Sequence, residues 1–458
     1  MGRATTTWRQ RPSTTVLSSN CCGVGTSSYD RAVRIAGMQP TRLILPNGLR
    51  LVHCAMPSMH SVAVEIFVGF GSRYEHQSKA GVAHVIEHML FKGTARRQRP
   101  TDISETLDAV GGVLNASTDK EATVYWAKTA REDVSLAVDL LADMLQHSRL
   151  VPFDLSREKA VICEELSMLA DDPQDWVHVL TDDVLWPRQP IGREIAGTRV
   201  SVSSLRRADL LEHLERFYGP NNTVISIAGG ISLAEAREQV EDAFADWAPV
   251  EAGNPIPAMP GVAPGPRLEP KPIEQLHVCL AYPAISRAHP DRFGLELLSN
   301  ILGGGASSRL FVQLREKHGL AYDTHAYTTQ VSDAGALVAY AAGEPAKGGK
   351  LLADLYREID RLCTHRVRPR ELANAKQYFR GRLFLGLEDT QAVAGWFGSQ
   401  ELLEGRLVEP QDVADSVDAV TADDLLRLAQ TYLDPAQSRL VAVGPVAGLG
   451  LEAQLAGA

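Results

Sequence analysis

The chain has 458 residues, enough for two large domains or about three of average size. Hydrophobic residues make up 45% of the sequence and charged residues 22%, which excludes a collagen-like, low-complexity or largely disordered protein. The net charge of −10 argues against a nucleic-acid partner, and no apolar run reaches the roughly 20 residues that a membrane-spanning helix needs.

Residues 1–38 differ in composition from the rest of the chain. They are rich in Ser, Thr and Arg, and the first acidic residue is Asp30. This composition is that of an organelle transit peptide, but a disordered leader or an over-extended start ahead of Met38 explains it as well. We therefore expect a cytoplasmic protein, with the mitochondrial matrix as the alternative if the leader is a true transit peptide.

The first elements after the leader are a strand and a helix. Residues 61–70 (SVAVEIFVGF) alternate as a sheet strand does. Residues 80–92 (AGVAHVIEHMLFK) have helical periodicity and are followed by Gly93, a residue typical of a helix end. One face of this helix is apolar, and the opposite face carries His84, Glu87 and His88.

These three residues form the pattern H-x-x-E-H, the inverted zincin motif. Two histidines four positions apart on a helix reach one metal ion, and a glutamate between them is placed to take a proton from metal-bound water. The alternative is an exposed helix face that merely carries two histidines. None of the six cysteines forms a C-x-x-C pair, so the other ligands of such a site must come from other residue types.

Two glycines, Gly111 and Gly112, end the next helical pattern and begin a strand that contains Asn115 and Ala116. If this strand lies at the edge of a sheet near the metal, an extended peptide can pair with its backbone. The alternative is an ordinary hairpin with the following strand, at residues 122–128.

A third ligand is expected on the helix at residues 155–170 (LSREKAVICEELSMLA). Glu158 and Glu165 lie seven positions apart on one stripe of this helix. One carboxylate can bind the metal while the other orients a ligand. The pattern alone leaves Glu164 open as the ligand, and it leaves open a solvated acidic stripe without a metal role.

The chain divides into two similar halves at a proline-rich segment. We assign residues 39–247 to a first domain, 248–267 to an extended linker and 268–458 to a second domain. Both halves close with a helix, a turn containing proline and an apolar strand that ends on glycine, in the segments 209–229 and 423–444. We therefore predict an α+β fold of two duplicated domains, each an antiparallel-rich sheet with helices packed on one face.

The second half carries three neighbouring features. Gly303, Gly304 and Gly305 lack the lysine and hydroxyl residue of a phosphate-binding P-loop and indicate a flexible or closely approached loop. Arg315 and Tyr322 follow. An arginine can hold a peptide carbonyl, and a tyrosine hydroxyl can stabilise an oxyanion, but either residue alone is more often ordinary surface or core.

Together these motifs resemble the pitrilysin-type metallopeptidases, and most of all the β-subunit of the mitochondrial processing peptidase and its bacterial relatives. In that family 76 residues separate the motif from a glutamate ligand, and here 76 residues separate His88 from Glu165. The resemblance therefore implies His84, His88 and Glu165 as ligands of one Zn²⁺ per chain, Glu87 as general base, and Glu158 behind the ligands.

The same resemblance implies that Asn115 and Ala116 bind the substrate backbone, and that Arg315 and Tyr322 complete the active site from the second half. It implies a zinc endopeptidase that cleaves extended peptides, presequence-like or otherwise unfolded, in a closed chamber. It further implies a homodimer, or a heterodimer with a paralogous subunit. The alternative is a non-catalytic peptide-binding or assembly subunit of the same fold.

Overall fold

A computed structural model describes residues 38–259 and 265–449, which form two mixed sheets with helices around them. The predicted leader, residues 1–38, lies outside the described residues except for Met38. Across the described ranges, no helix is both long and apolar enough to span a bilayer.

The first half forms a six-stranded sheet in the order β1-β2-β6-β3-β5-β4. Its pairs are antiparallel except for β2 with β6, which run parallel. The elements of this half are β1 (Pro40–Ile44), β2 (Arg50–Ala55), β3 (Ser61–Val68), α1 (Val82–Leu90), α2 (Pro100–Asp108), β4 (Val113–Thr118), β5 (Thr123–Ala130), α3 (Val134–His147), α4 (Pro152–Asp171), α5 (Pro173–Leu185), α6 (Arg199–Ser204), α7 (Arg207–Phe217), β6 (Thr223–Gly229) and α8 (Leu233–Phe244).

The second half forms a five-stranded sheet in the order β7-β11-β8-β10-β9. A π-helix at Phe311–Lys317 precedes β9. The other elements are β7 (Arg267–Pro270), β8 (Leu276–Ala284), α9 (Arg292–Gly303), β9 (Ala321–Gln330), β10 (Gly335–Gly343), α10 (Gly348–Thr364), α11 (Pro369–Gly386), α12 (Thr390–Glu404), α13 (Pro410–Ala419), α14 (Ala422–Tyr432) and β11 (Arg439–Gly444).

The two sheets repeat one topology. In the first sheet β6 lies between β2, which is parallel to it, and β3, which is antiparallel. In the second sheet β11 lies in the same way between β7 and β8. The strands β6 and β11 follow α7 and α14, the two helices of the repeat seen in the sequence. The prediction of two similar α+β halves is therefore confirmed, and the edge strand β9 is the counterpart of β4.

Each sheet is also covered on its second face, by a helix that comes from the other half. Helix α5 packs Val177 and Val184 against β8 and β11 of the second sheet. Helix α12 packs Val393 and Phe397 against β3 and β6 of the first sheet. The alternation at residues 61–70 predicted helices on one face only, but every residue of β3 after Ser61 is buried. The exchange of helices explains why.

A buried ionic cluster joins the two halves at the β4–β5 turn. The guanidinium of Arg73 is fully buried and contacts Glu121 at 2.7 Å and Asp333 at 2.8 Å. It also donates to the backbone oxygen of Ile256, in the proline-rich segment, at 3.0 Å. Glu121 accepts a further hydrogen bond from Ser332 Oγ at 2.6 Å. We call these five residues the Arg73 cluster. It fixes the β4–β5 turn of the first half against the β9–β10 turn of the second.

Candidate metal centre

The motif helix α1 is held in place by its apolar face and by its N-terminus. Val85 and Met89 are fully buried in the first core, so His84, Glu87 and His88 lie on the half-buried opposite face. The helix begins after Gly81, whose φ of +92° is a conformation that suits glycine. The buried carboxylate of Glu75 accepts hydrogen bonds from the amides of Gly81 and Ala83 at 2.8 Å each, which satisfies two free donors of the first turn. These contacts fix the orientation of the motif.

Helix α4 crosses α1 and brings two glutamates to His88. Glu158 is 7% exposed, and its Oε2 accepts a hydrogen bond from His88 Nδ1 at 3.2 Å. Glu165, two turns further along, has its Oε2 at 3.7 Å from His88 Nε2. Glu164 is exposed and does not belong to the group of ligand atoms formed by His84, His88 and Glu165. The geometry therefore separates the two candidates that the sequence left open, and it favours Glu165.

Three side chains meet at the crossing. Ligand atoms of His84, His88 and Glu165 all lie within 4.8 Å of one another, and no other such group of His, Cys, Asp or Glu occurs in the described parts of the chain. The imidazole rings of the two histidines are 4.6 Å apart. Two nitrogen ligands and one carboxylate, with a fourth position open, are the donor set of a catalytic zinc site.

The state of the two histidines fits a bound metal. Burial, followed by the neighbouring His88, lowers the pKa of His84 to about 4, so its imidazole is neutral near pH 7 and keeps a lone pair. His84 Nδ1 is buried without a hydrogen-bond partner among the described residues. The hydrogen bond from His88 Nδ1 to Glu158 leaves Nε2 free to face the centre, the arrangement that metal-binding histidines adopt. These residues fit Zn²⁺.

Glu87 lies beside the three ligands. Its Oε2 accepts a hydrogen bond from Thr118 Oγ1, at the end of β4, at 2.5 Å. Burial and the nearby carboxylate of Glu165 raise the pKa of Glu87, the hydrogen bond from Thr118 lowers it, and the net pKa is raised. A carboxylate that is held in one orientation and made more basic by burial is suited to accept a proton from water.

Asn115 and Ala116 lie on β4, the outermost strand of the first sheet. The strand pairs with β5 on one side, and no described strand pairs with its other side. The backbone amide of Ala116 donates a hydrogen bond to Oδ1 of Asn115 at 2.8 Å. The Asn115 side chain therefore occupies an amide of the edge strand. Because the same strand ends on Thr118, its free edge runs up to Glu87.

Arg315 and Tyr322 lie together but apart from the metal centre. The Arg315 guanidinium packs on the rings of Phe311 and Tyr322, at 4.9 Å from each, and donates to the Tyr322 backbone oxygen at 3.1 Å. Tyr322 is 75% exposed, on the edge strand β9. Among the described contacts, no hydrogen bond or ion pair joins either residue to His84, His88 or Glu165.

Two contributors to the site were not identified from the sequence. Thr118 lies in the strand predicted to bind substrate, but its hydrogen bond to Glu87 depends on how β4 meets α1. Lys92 ends the motif segment, and its Nζ lies 2.8 Å from Glu158 Oε1. Lys92 follows His88 by four positions, and residues at this spacing share one helix face. This spacing could have placed Lys92 near the metal centre from the sequence alone.

Comparison with known proteins shows the family of this chain. Residues 50–199 match the family described as "Insulinase (Peptidase family M16)", and residues 204–379 match the "Peptidase M16 inactive domain". A protein of Streptomyces coelicolor, named an uncharacterized zinc protease, is 35% identical over 412 residues, which cover 88% of this chain and 89% of the relative. The chain belongs to peptidase family M16.

Other relatives of this M16 chain support the assignment. A protein of Bacillus subtilis, also named an uncharacterized zinc protease, is 33% identical and covers 85% of this chain and 94% of its own length. These relatives are bacterial, which gives no support to the mitochondrial alternative. The second family match begins at residue 204, although β6, at residues 223–229, belongs to the first sheet. The sequence families and the structural halves therefore divide at different points.

Solved structures show the same fold at low sequence identity. A protease from Helicobacter pylori has a TM-score of 0.81 at 22% identity and covers 89% of this chain and all of its own. A structure from Pseudomonas fluorescens, described as a peptidase M16 inactive domain, has a TM-score of 0.83 at 18% identity and covers 89% of this chain and 98% of its own. The two-domain M16 fold is therefore shown.

The neighbouring glutamates of α4 provide a matched test of the third ligand. Substitution Glu165→Gln removes a charged oxygen ligand, so we expect zinc affinity to fall by at least ~100-fold. This loss exceeds the one expected when a residue that only hydrogen-bonds to a ligand is replaced. Substitution Glu164→Gln, one residue away and exposed, is expected to leave zinc affinity unchanged. Competition with a chelating dye measures both variants. Equal affinities in the two variants would rule out Glu165 as a ligand.

Proposed function

We propose that this M16 chain is a zinc-dependent endopeptidase that hydrolyses extended peptides. The proposal is carried by one observation: His84, His88 and Glu165, from two crossing helices, bring three ligand atoms to within 4.8 Å, with Glu87 beside them. Three protein ligands with an open fourth position distinguish a catalytic zinc site from a closed structural one.

One zinc ion per chain would be held by His84, His88 and Glu165. When bound there, zinc lowers the pKa of a water molecule towards ~7 and polarises a peptide carbonyl. Glu158 keeps His88 oriented through Nδ1, and the ion pair with Lys92 holds Glu158 in place. The residues around the ligands thus fix the geometry that the reaction needs.

Glu87 would act as the general base and then as the acid. It takes a proton from the attacking water on the oxygen not held by Thr118, and it delivers that proton to the nitrogen of the leaving amine. The hydrogen bond from Thr118 fixes the carboxylate in one rotamer throughout. Burial raises the pKa of Glu87, which makes both transfers easier near neutral pH.

The substrate would bind as an added strand along β4. Backbone pairing with the edge at Asn115 and Ala116 would displace the Asn115 side chain from the Ala116 amide. Such pairing reads the backbone rather than side chains, so it suits a peptidase that accepts many unfolded sequences. Presequence-like basic peptides are one class that would match the net charge of −10.

Arg315 and Tyr322 would complete the active site of a second copy of the chain. Tyr322 is exposed and Arg315 partly so, and within the described ranges neither has a hydrogen bond or ion pair to the metal ligands of its own copy. A homodimer in which each copy supplies this pair to the other is the simplest assembly, and a heterodimer with a paralogous subunit is the second.

The cytoplasm is the proposed location, since Cys54 and Cys279 are buried free thiols, typical of reducing compartments.

A non-catalytic peptide-binding or assembly role is the second candidate. The similarity to the Pseudomonas fluorescens structure, which is described as an inactive M16 domain, favours it. Against it, this chain keeps both histidines, the glutamate ligand and the base in one place. A subunit that only binds peptides does not need Glu87.

Substitution Glu87→Gln separates these two functions. We expect about one zinc per chain in the wild type and in the variant, but hydrolysis of a quenched fluorogenic peptide lowered by at least ~100-fold, as for loss of a general base. Glu164→Gln is the control for a change of charge and should keep full activity. Zinc-loaded wild type without hydrolysis would support the non-catalytic role instead.

Thr118 offers a test through the pH dependence of the reaction. Its hydrogen bond lowers the pKa of Glu87, and the base works deprotonated, so Thr118→Val should shift the acid limb of kcat/KM to higher pH. We expect activity on that limb to fall by about 2- to 12-fold, the effect of one hydrogen bond, with little loss on the alkaline side. Thr118→Ser, which keeps the donor, should restore the wild-type profile. An unshifted acid limb in Thr118→Val would contradict the role given to Thr118.

A further inference from the structure

A cavity of about 680 Å³ opens in the second half, away from the residues of the metal centre. Its walls come from the end of α9 and the loop after it, the π-helix, α10 and the first turns of α11. A volume in this range is that of a small-molecule site, since such pockets measure roughly 300–1,000 Å³.

The cavity is strongly basic, although the protein carries a net charge of −10. Five arginines line it, against two glutamates. The arginines are Arg309, Arg361, Arg366, Arg368 and Arg370. Because Asp423 pairs with Arg366 from beyond the lining residues, an excess of two positive charges remains around this concave space. Such an excess selects for an anion that carries more than one negative charge.

Two of these arginines have no carboxylate partner among the residues that the structure describes. Arg309 pairs with Glu371 at 2.8 Å, Arg361 with Glu358 at 2.9 Å and Arg366 with Asp423 at 2.5 Å. Arg368 and Arg370, by contrast, make no side-chain hydrogen bond or ion pair with any residue that the structure describes. They flank Pro369, the first residue of the 18-residue helix α11, where the helix dipole also attracts anions.

The wall holds a further group suited to a ligand. Ser308 is 6% exposed, and its Oγ has no hydrogen-bond partner in the described structure. A buried hydroxyl without a partner is costly, and an anion oxygen is an acceptor that would satisfy it. Next to these polar groups, Ile301, Val312 and the ring of Tyr378 form an apolar patch, and Tyr378 is 43% exposed.

We propose that this cavity binds a small phosphate compound that carries at least two negative charges. Arg368 and Arg370 bind the phosphate oxygens, because the guanidinium matches them with paired donors. The apolar patch at Ile301, Val312 and Tyr378 takes an organic group attached to the phosphates. The site is separate from peptide hydrolysis and holds whether or not the proposed peptidase activity is found.

Two probes with the same number of phosphates test the proposal: inorganic pyrophosphate and adenosine diphosphate, titrated calorimetrically into the full-length protein without added Mg²⁺. We expect each to bind once per chain, and Arg368→Gln/Arg370→Gln to weaken binding by at least ~10-fold. Lys350→Gln/Arg382→Gln, which removes two exposed charges outside the cavity, should bind as the wild type does.

Because pyrophosphate also binds zinc, His84→Ala serves as the second control and should keep both affinities. Tighter binding of adenosine diphosphate would support the role given to the apolar patch and indicate an organic phosphate as the natural ligand. Binding no tighter than that of pyrophosphate would contradict that role and indicate inorganic phosphates. The proposal is overturned if neither probe binds the wild type at millimolar concentration, if the cavity variant and the charge control bind equally, or if His84→Ala abolishes binding.

Discussion

The crossing of α1 and α4 at His88 is the contact on which the rest of the site depends. Nδ1 of His88 donates a hydrogen bond to Glu158, and Nε2 faces Glu165. Two glutamates that are seven positions apart on α4 therefore contact the two nitrogens of one imidazole. This fixes the separation of the two helices at the place where His84 joins them. If either helix shifted by one residue, the three ligand atoms would no longer converge, because a helix turns by about 100° per residue.

The two halves of the chain support this crossing together. Helix α5 follows α4 after Asp172 and packs on the second sheet, so the position of Glu165 depends on how the halves dock. From the other side, the Arg73 cluster fixes the turn between β4 and β5, which lies directly beyond Thr118 and its hydrogen bond to Glu87. The ligand Glu165 is separated from an interface with the second half only by the end of α4. The base Glu87 is held by Thr118, which directly precedes the other interface. A chain with only the first half would lose both supports.

The local parts of this arrangement are predictable from the sequence, and the parts that depend on tertiary contacts are not. The spacing of the motif gives the face of α1 that carries His84 and His88, and the glycines before β4 give the start of that strand. The choice of Glu165 over Glu164 needed the family resemblance, since both lie on the same helix. The hydrogen bond of Thr118 and the packing of α5 and α12 on the opposite sheets remained hidden, because an amphipathic pattern shows that a helix has a buried face but not which sheet covers it.

The central claim is that one zinc ion binds where these helices cross. Anomalous diffraction at the zinc absorption edge, from crystals of the zinc-loaded protein, tests it most directly. The account predicts a single strong peak per chain at about 2 Å from a nitrogen of His84, a nitrogen of His88 and an oxygen of Glu165. A chain without a peak at this position, or with the three side chains turned away from one another around an empty centre, would contradict it.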